Sequence, residues 1–226
     1  YCCSGFNKLL EIPCMVRRIG DYSFAYCSGL SGNLKFANVT EISNYDDIVP
    51  NNLGKLNCIS YGAFSGCSGL RGELVIPDSV TNMYSYAFCD CSGFDKKLKL
   101  SNELTEISEG CFYGCSSFIG SLEIPSLVKN IRRNAFYQCN GFNDVLVLPD
   151  VNSIESCAFF GCSQIKGSLI LPSSITTIGD KAFFACESFS GSLNIPKSIT
   201  LVDSFAFYKC SGFNRSLILP NNLEKI

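Results

Sequence analysis

The sequence predicts a solenoid of stacked, β-rich coils, and three regularities predict it. A cysteine recurs at Cys3, Cys27, Cys67, Cys91, Cys115, Cys139, Cys162, Cys186 and Cys210, in steps of 24, 40, 24, 24, 24, 23, 24 and 24 residues. Three residues before it stands a phenylalanine, from Phe24 to Phe207, and seven residues after it a leucine, from Leu10 to Leu217. A fixed repeat of this length marks a stack of small units. Each unit offers about seven inward anchors, too few to close a core alone and enough once identical units stack.

Followed along one unit, each element has a local reason. Three residues after the cysteine comes an apolar residue (Phe6, Leu30, Leu70, Phe94, Phe118, Phe142, Ile165, Phe189, Phe213). Glycines such as Gly69 and Gly72 follow, where tight turns favour a residue without a side chain. The invariant leucine and an apolar residue two positions on, as in Leu122 and Ile124, read as a short strand with both side chains on one face. Seven of the eight prolines end that strand directly. A second apolar pair, such as Val80 and Met83 or Val128 and Ile131, leads to the next phenylalanine. Nine stacked strands at ~4.8 Å would form a continuous parallel sheet on the order of 40 Å long, with turns and short helical or 3-10 segments elsewhere.

Composition narrows the chemistry. A chain of 226 residues, 46% hydrophobic and 17% charged, has enough apolar content to fold. Its net charge of −2 without a Lys/Arg cluster argues against nucleic acid and anionic membranes as partners, and no apolar run approaches the ~18 residues of a membrane span. With no histidine, the chain cannot build a Ser-His-Asp or Cys-His nucleophile or an imidazole proton shuttle. No cofactor is expected. No metal is expected either, because Cys89-x-Cys91 and Cys2-Cys3 lack the spacing of zinc-binding pairs. The carboxylates remain as acid-base groups, densest at Asp46-Asp47 and Glu103/Glu106/Glu109, and both groups read as solvated turns.

The pattern from Leu169 to Gly191, "LILPSSITTIGDKAFFACESFSG", with its registered copies along essentially all of the chain, closely resembles the BspA-like class of leucine-rich repeats. The resemblance implies a right-handed leucine-rich-repeat solenoid belonging to a microbial surface or secreted protein that attaches to host matrix or other cells. The alternative is a cytoplasmic leucine-rich-repeat scaffold.

Two breaks interrupt the repeat. The chain starts and stops inside a unit without a polar capping unit, so the whole of residues 1–226 reads as one domain cut from a longer array, with end-to-end self-association plausible. Between Phe36 and Phe64 lie 16 extra residues, an insertion loop within residues 37–60, in which Tyr45, Asp46 and Asp47 could contact a partner or a cation or form a tolerated surface loop. Asn38 and Asn214 begin glycosylation sequons, meaningful in a secreted eukaryotic protein.

The register cysteines could approach at disulfide distance. Flanked by phenylalanines in an odd-numbered row, they read instead as a buried column of unbridged thiols. The outward residue of each strand carries the candidate binding surface: Glu11, Lys35, Val75, Lys99, Glu123, Val147, Ile170, Asn194 and Ile218 in order. Its later part, with Val145 beside it, would expose an apolar row, the mark of a protein-binding face. β-branched residues favouring strands account for the same letters.

Overall fold

The computed structural model describes residues 9–37 and 55–226. They form a β-solenoid of about 8 turns at ~24-residue spacing, with parallel short strands. Among the described residues there is no helix, which corrects the expected helical or 3-10 segments. Each coil instead rounds the Phe-Cys corner through a six-residue turn, such as residues 61–66 or 109–114.

Two rows of strands run along the stack. The first is the Leu-x-Ile row: β1 (Leu10–Ile12), β3 (Leu34–Phe36), β5 (Leu74–Val75), β7 (Leu98–Lys99), β9 (Leu122–Glu123), β11 (Leu146–Val147), β14 (Leu193–Asn194) and β15 (Leu217–Ile218). The second is built on the apolar pair before each phenylalanine: β2 (Arg18–Ile19), β4 (Cys58–Ile59), β6 (Asn82–Met83), β8 (Glu106–Ile107), β10 (Asn130–Ile131), β12 (Ser153–Ile154) and β13 (Thr177–Ile178). β2 pairs directly with β4, Arg18 against Cys58, so the register is kept on both sides of the 16-residue excess.

The Leu-x-Ile row is not one continuous sheet of nine strands. It closes in four pairs, β1-β3, β5-β7, β9-β11 and β14-β15, and Leu169–Leu171 forms no ladder. The second row is more continuous, as β2-β4-β6 and β8-β10-β12-β13.

The unbroken ladder runs through the turns. Amides there alternate: Ser65 and Cys67 donate within their own turn, to Gly62 and Phe64, while Gly62, Phe64 and Gly66 donate to Ser85, Ala87 and Cys89 of the next coil. The alternation places two residues per turn at positive φ, for example Tyr22 (52°) and Tyr26 (57°), then Gly62 (57°) and Gly66 (73°). Side-chain-bearing residues in this region cost about 1 kcal/mol or more each. Gly62 has a further reason to be glycine, since a Cβ there would lie 2.7 Å from the ring of Tyr22.

Stacked rings give the local rise from coil to coil. Along the outer turn, Tyr113, Tyr137, Phe160 and Phe184 stack with centroids 4.6, 4.7 and 4.5 Å apart. In the buried column from Phe24 to Phe207 the spacing is 5.0–5.8 Å, and three residues after the cysteine, from Phe94 to Phe118, Phe118 to Phe142 and Phe189 to Phe213, it is 5.5–5.8 Å.

The core is one apolar cluster from Ile12 to Ala206, in which Phe64, Phe88, Phe112, Phe136, Phe159 and Phe183 are fully buried. The register cysteines from Cys67 to Cys210 are unbridged thiols with a defined task. Cys91 Sγ donates to the Phe64 carbonyl at 3.0 Å, Cys115 to Phe88 at 3.0 Å and Cys139 to Phe112 at 3.0 Å, and Cys67, Cys162, Cys186 and Cys210 repeat the contact. Each carbonyl already accepts the amide of the cysteine three residues on, so both of its lone pairs are filled. A small apolar side chain that can still donate one weak hydrogen bond suits this position.

Candidate interaction surface

All nine outward residues of the Leu-x-Ile row are exposed, as strand alternation predicts. Ladder pairing sets Glu11 beside Lys35, with 3.9 Å between carboxylate and ammonium, Val75 beside Lys99, Glu123 beside Val147, and Asn194 beside Ile218. Ile170 stands outside any ladder and is 76% exposed; Val147 is 48%, Ile218 51% and Val145 40% exposed. The polar Asn194 interrupts the apolar row between Ile170 and Ile218.

Where the row opens, cavities form. One of about 480 Å³ lies at the β7/β9 break, rimmed by Glu73, Lys97, Lys99 and Glu123 over Leu100 and Ile124. Another of about 590 Å³ lies at the β3/β5 break, rimmed by Lys35, Lys55, Lys99 and Asp78. Lys99 and Glu123 thus mark the edges of a charged depression that Val147 also lines, whereas Val145, Ile170 and Ile218 lie outside both cavities.

The other sequence candidates are placed as follows. Tyr45, Asp46, Asp47 and Asn38 lie outside the described residues. Asn214 is exposed, and its Oδ1 accepts the Gly191 amide at 3.1 Å; Asp95 and Asn143 cap Gly72 and Gly120 in the same way. Glu106 is not on a solvated turn but on β8, where its carboxylate accepts from Arg132 Nη2 at 2.7 Å, and Arg132 Nη1 reaches Glu155 at 2.9 Å. Glu109 accepts the Tyr86 hydroxyl at 2.9 Å, and burial together with this carboxylate pushes the Tyr86 hydroxyl up to about 12. Among the described residues, no three His, Cys, Asp or Glu side chains are grouped to hold a metal ion. Burial pushes the Cys67 and Cys162 thiols up to about 12 and those of Cys91, Cys115, Cys139 and Cys186 well above the ordinary value, which makes them poor nucleophiles.

Sequence reading missed the outer aromatic row of Tyr113, Tyr137, Phe160, Phe184 and Tyr208. Its signal was present as an aromatic two residues before the register cysteine.

Stacked coils of this period, with Leu-x-Ile strands and Phe-Cys turns, define a leucine-rich-repeat solenoid. The model of the BspA-type leucine-rich repeat region matches residues 1–46, 48–166 and 129–226, and the chain belongs to that family. Among solved structures, a leucine-rich repeat protein of Eubacterium ventriosum is 23% identical at a TM-score of 0.60, covering 79% of this chain and 42% of its own. The chain thus spans less than half of that protein, and the likeness is one of fold. A leucine-rich cell surface protein of Faecalibacterium prausnitzii is 21% identical (TM-score 0.46; 97% of this chain, 74% of that one). The pneumococcal vaccine antigen PcpA is 20% identical (TM-score 0.47; 96% and 55%). No curated protein matches the chain. Among the described residues, no helix is long and apolar enough to cross a membrane.

Proposed function

We propose that the chain is a non-catalytic protein-recognition module of a microbial surface or secreted protein, used for adhesion to host matrix or cells. The apolar projection of Val145, Val147, Ile170 and Ile218 binds the partner, with Asn194, Lys99 and Glu123 setting specificity around it. The observation that carries this reading is the exposure of Ile170, 76%, in a row with Val147 and Ile218, where a soluble surface would ordinarily be polar. The family supports protein binding as its general use, and a repeat stack supplies a long surface on which many weak contacts add. The test is retention of the intact chain on a panel of purified matrix proteins and on whole cells. Val147→Asp with Ile170→Asp is expected to abolish retention, and unchanged retention would overturn the proposal.

The thiol column favours a second reading, an intracellular scaffold. Its free cysteines, hydrogen-bonded in register, suit a reducing compartment. Titrating thiols in denaturant without reductant, on protein from its native source, reports the redox state of the column, and a signal or anchor sequence in the full gene separates the secreted module from the scaffold.

A further inference from the structure

The turn face divides into chemically different halves. In the first four coils its segments, residues 20–29, 60–69, 84–93 and 108–117, hold Asp21, Asp90 and Glu109 and no lysine or arginine of their own, while Arg18 and Arg71 reach in from outside them, Arg18 to the Ser60 hydroxyl at 2.9 Å and Arg71 to the Ser68 carbonyl at 2.6 Å, away from the tyrosine rings. In the last four, residues 132–141, 155–164, 179–188 and 203–212, Arg132, Arg133, Lys181 and Lys209 balance Glu155, Asp180, Glu187 and Asp203. Tyrosine follows the same division: Tyr22, Tyr26, Tyr61, Tyr84, Tyr86 and Tyr113 lie in the first half, Tyr137 and Tyr208 in the second.

The rings are also used differently. From Tyr137 through Phe160 to Phe184 they stack nearly parallel, at 11° and 3°, so their faces are covered by one another; in the last coil Phe205 meets Tyr208 edge-on at 90°. In the first half Tyr22 meets Tyr61 at 67° and Tyr61 meets Tyr86 at 59°, and Tyr22, Tyr26, Tyr61 and Tyr84 are 54%, 61%, 40% and 50% exposed. Tyr22 and Tyr26 pack on one side against Gly62 and Gly66 of the next coil, and the exposed remainder of each ring is open to a ligand.

The second half also shows what such faces accept. Lys181 Nζ lies 5.4 Å from the centroid of Phe205, and Lys209 Nζ 5.9 Å from that of Tyr208. Phe205 occupies the register of Tyr22 and Tyr86, five residues before the cysteine. Among the described residues, no lysine or arginine covers the first-half tyrosines; Arg18, on the neighbouring β2, donates through Nε to Ser60. Ring faces backed by carboxylates attract cations.

We propose that the tyrosine face of the first four coils binds a lysine- or arginine-bearing segment of a partner protein, whose cations take the place that Lys181 and Lys209 fill over the rings of the last coils. This surface is distinct from the Leu-x-Ile row, so either assignment stands or falls alone.

The test is fluorescence anisotropy of the whole chain with a labelled peptide of alternating lysine and serine, against a glutamate-serine peptide and a neutral maltoheptaose. The lysine peptide is expected to bind, more weakly as salt rises, and the other two not. Tyr26→Leu with Tyr61→Leu keeps apolar bulk and removes the polar faces, with an expected loss of about fivefold. Asp21→Asn with Asp90→Asn removes charge at exposed positions and should weaken binding without moving the melting transition, so the outcome does not rest on the tyrosine variants folding. Lys181→Ala with Lys209→Ala should create a second binding event by uncovering Phe205 and Tyr208. Unchanged affinity in folded tyrosine variants or in the aspartate variants, equal binding of the glutamate peptide, or tyrosine-dependent binding of the oligosaccharide would each overturn the proposal.

Discussion

The turn face and the Leu-x-Ile face of this solenoid are built from the same coils and behave oppositely. At the turn, every described coil-to-coil junction is hydrogen-bonded and the outer rings from Tyr113 to Phe184 stack at 4.5–4.7 Å. At the Leu-x-Ile row, pairing closes in four separate pairs, and the β3/β5 and β7/β9 breaks open into cavities. Cohesion is concentrated where repeated letters are fixed, and the splayed face is left to carry letters that vary. A protein that must hold its shape while changing what it recognises gains from that separation.

Ways to break the contrast run from the whole column to a single exposed side chain. Alkaline pH should have the largest effect. Burial, reinforced for several of them by neighbouring thiols, raises Cys67 and Cys162 to about 12 and Cys210 to about 11, against 9.0 unperturbed. An acid whose folded value is raised stabilises the fold fully below its unfolded value and loses that contribution as pH rises toward the folded one. Circular dichroism should therefore show cooperative unfolding between about pH 9 and 12, and a flat trace would contradict a buried thiol column. Next comes Phe112→Ala, which removes a ring stacked between Phe88 and Phe136 and should cost about 3–5 kcal/mol in denaturant melts. Cys139→Ala leaves the Phe112 carbonyl with one partner instead of two and should cost about 1–2 kcal/mol by the same measurement. Tyr137→Ala unstacks the outer row between Tyr113 and Phe160, an effect of about 1 kcal/mol. Smallest is Ile170→Asp on the splayed face, expected to change stability by no more than about 0.5 kcal/mol. A large loss there would show that this face carries cohesion after all.

Much of this was legible in the letters. The cysteine ruler located the described coils, the phenylalanine and leucine at fixed offsets gave the buried columns as far as Leu193, and the residue between Leu and Ile is outward from Glu11 to Ile218; Leu217, expected inward, is 58% exposed because no further coil covers it among the described residues. The second strand row was visible only as apolar pairs, because two-residue strands such as Asn82–Met83 are too short for alternation to declare them. Glu106 looked like one of several acids near a turn, and its bond to Arg132, 26 residues away in sequence, exists only once coils stack.

The sequence by itself determined the coil length, the stacking, the buried columns and the identity of the outward row, since each depends on which side chains within one unit are apolar. Tertiary structure alone decided which ladder closes. That depends on how neighbouring coils meet at each face, a relation between residues about 24 apart in sequence and not the preference of any single residue. The same stacking decided that the rings from Tyr113 to Phe184 cover one another while Tyr22, Tyr61 and Tyr86 meet at edge and tilted angles.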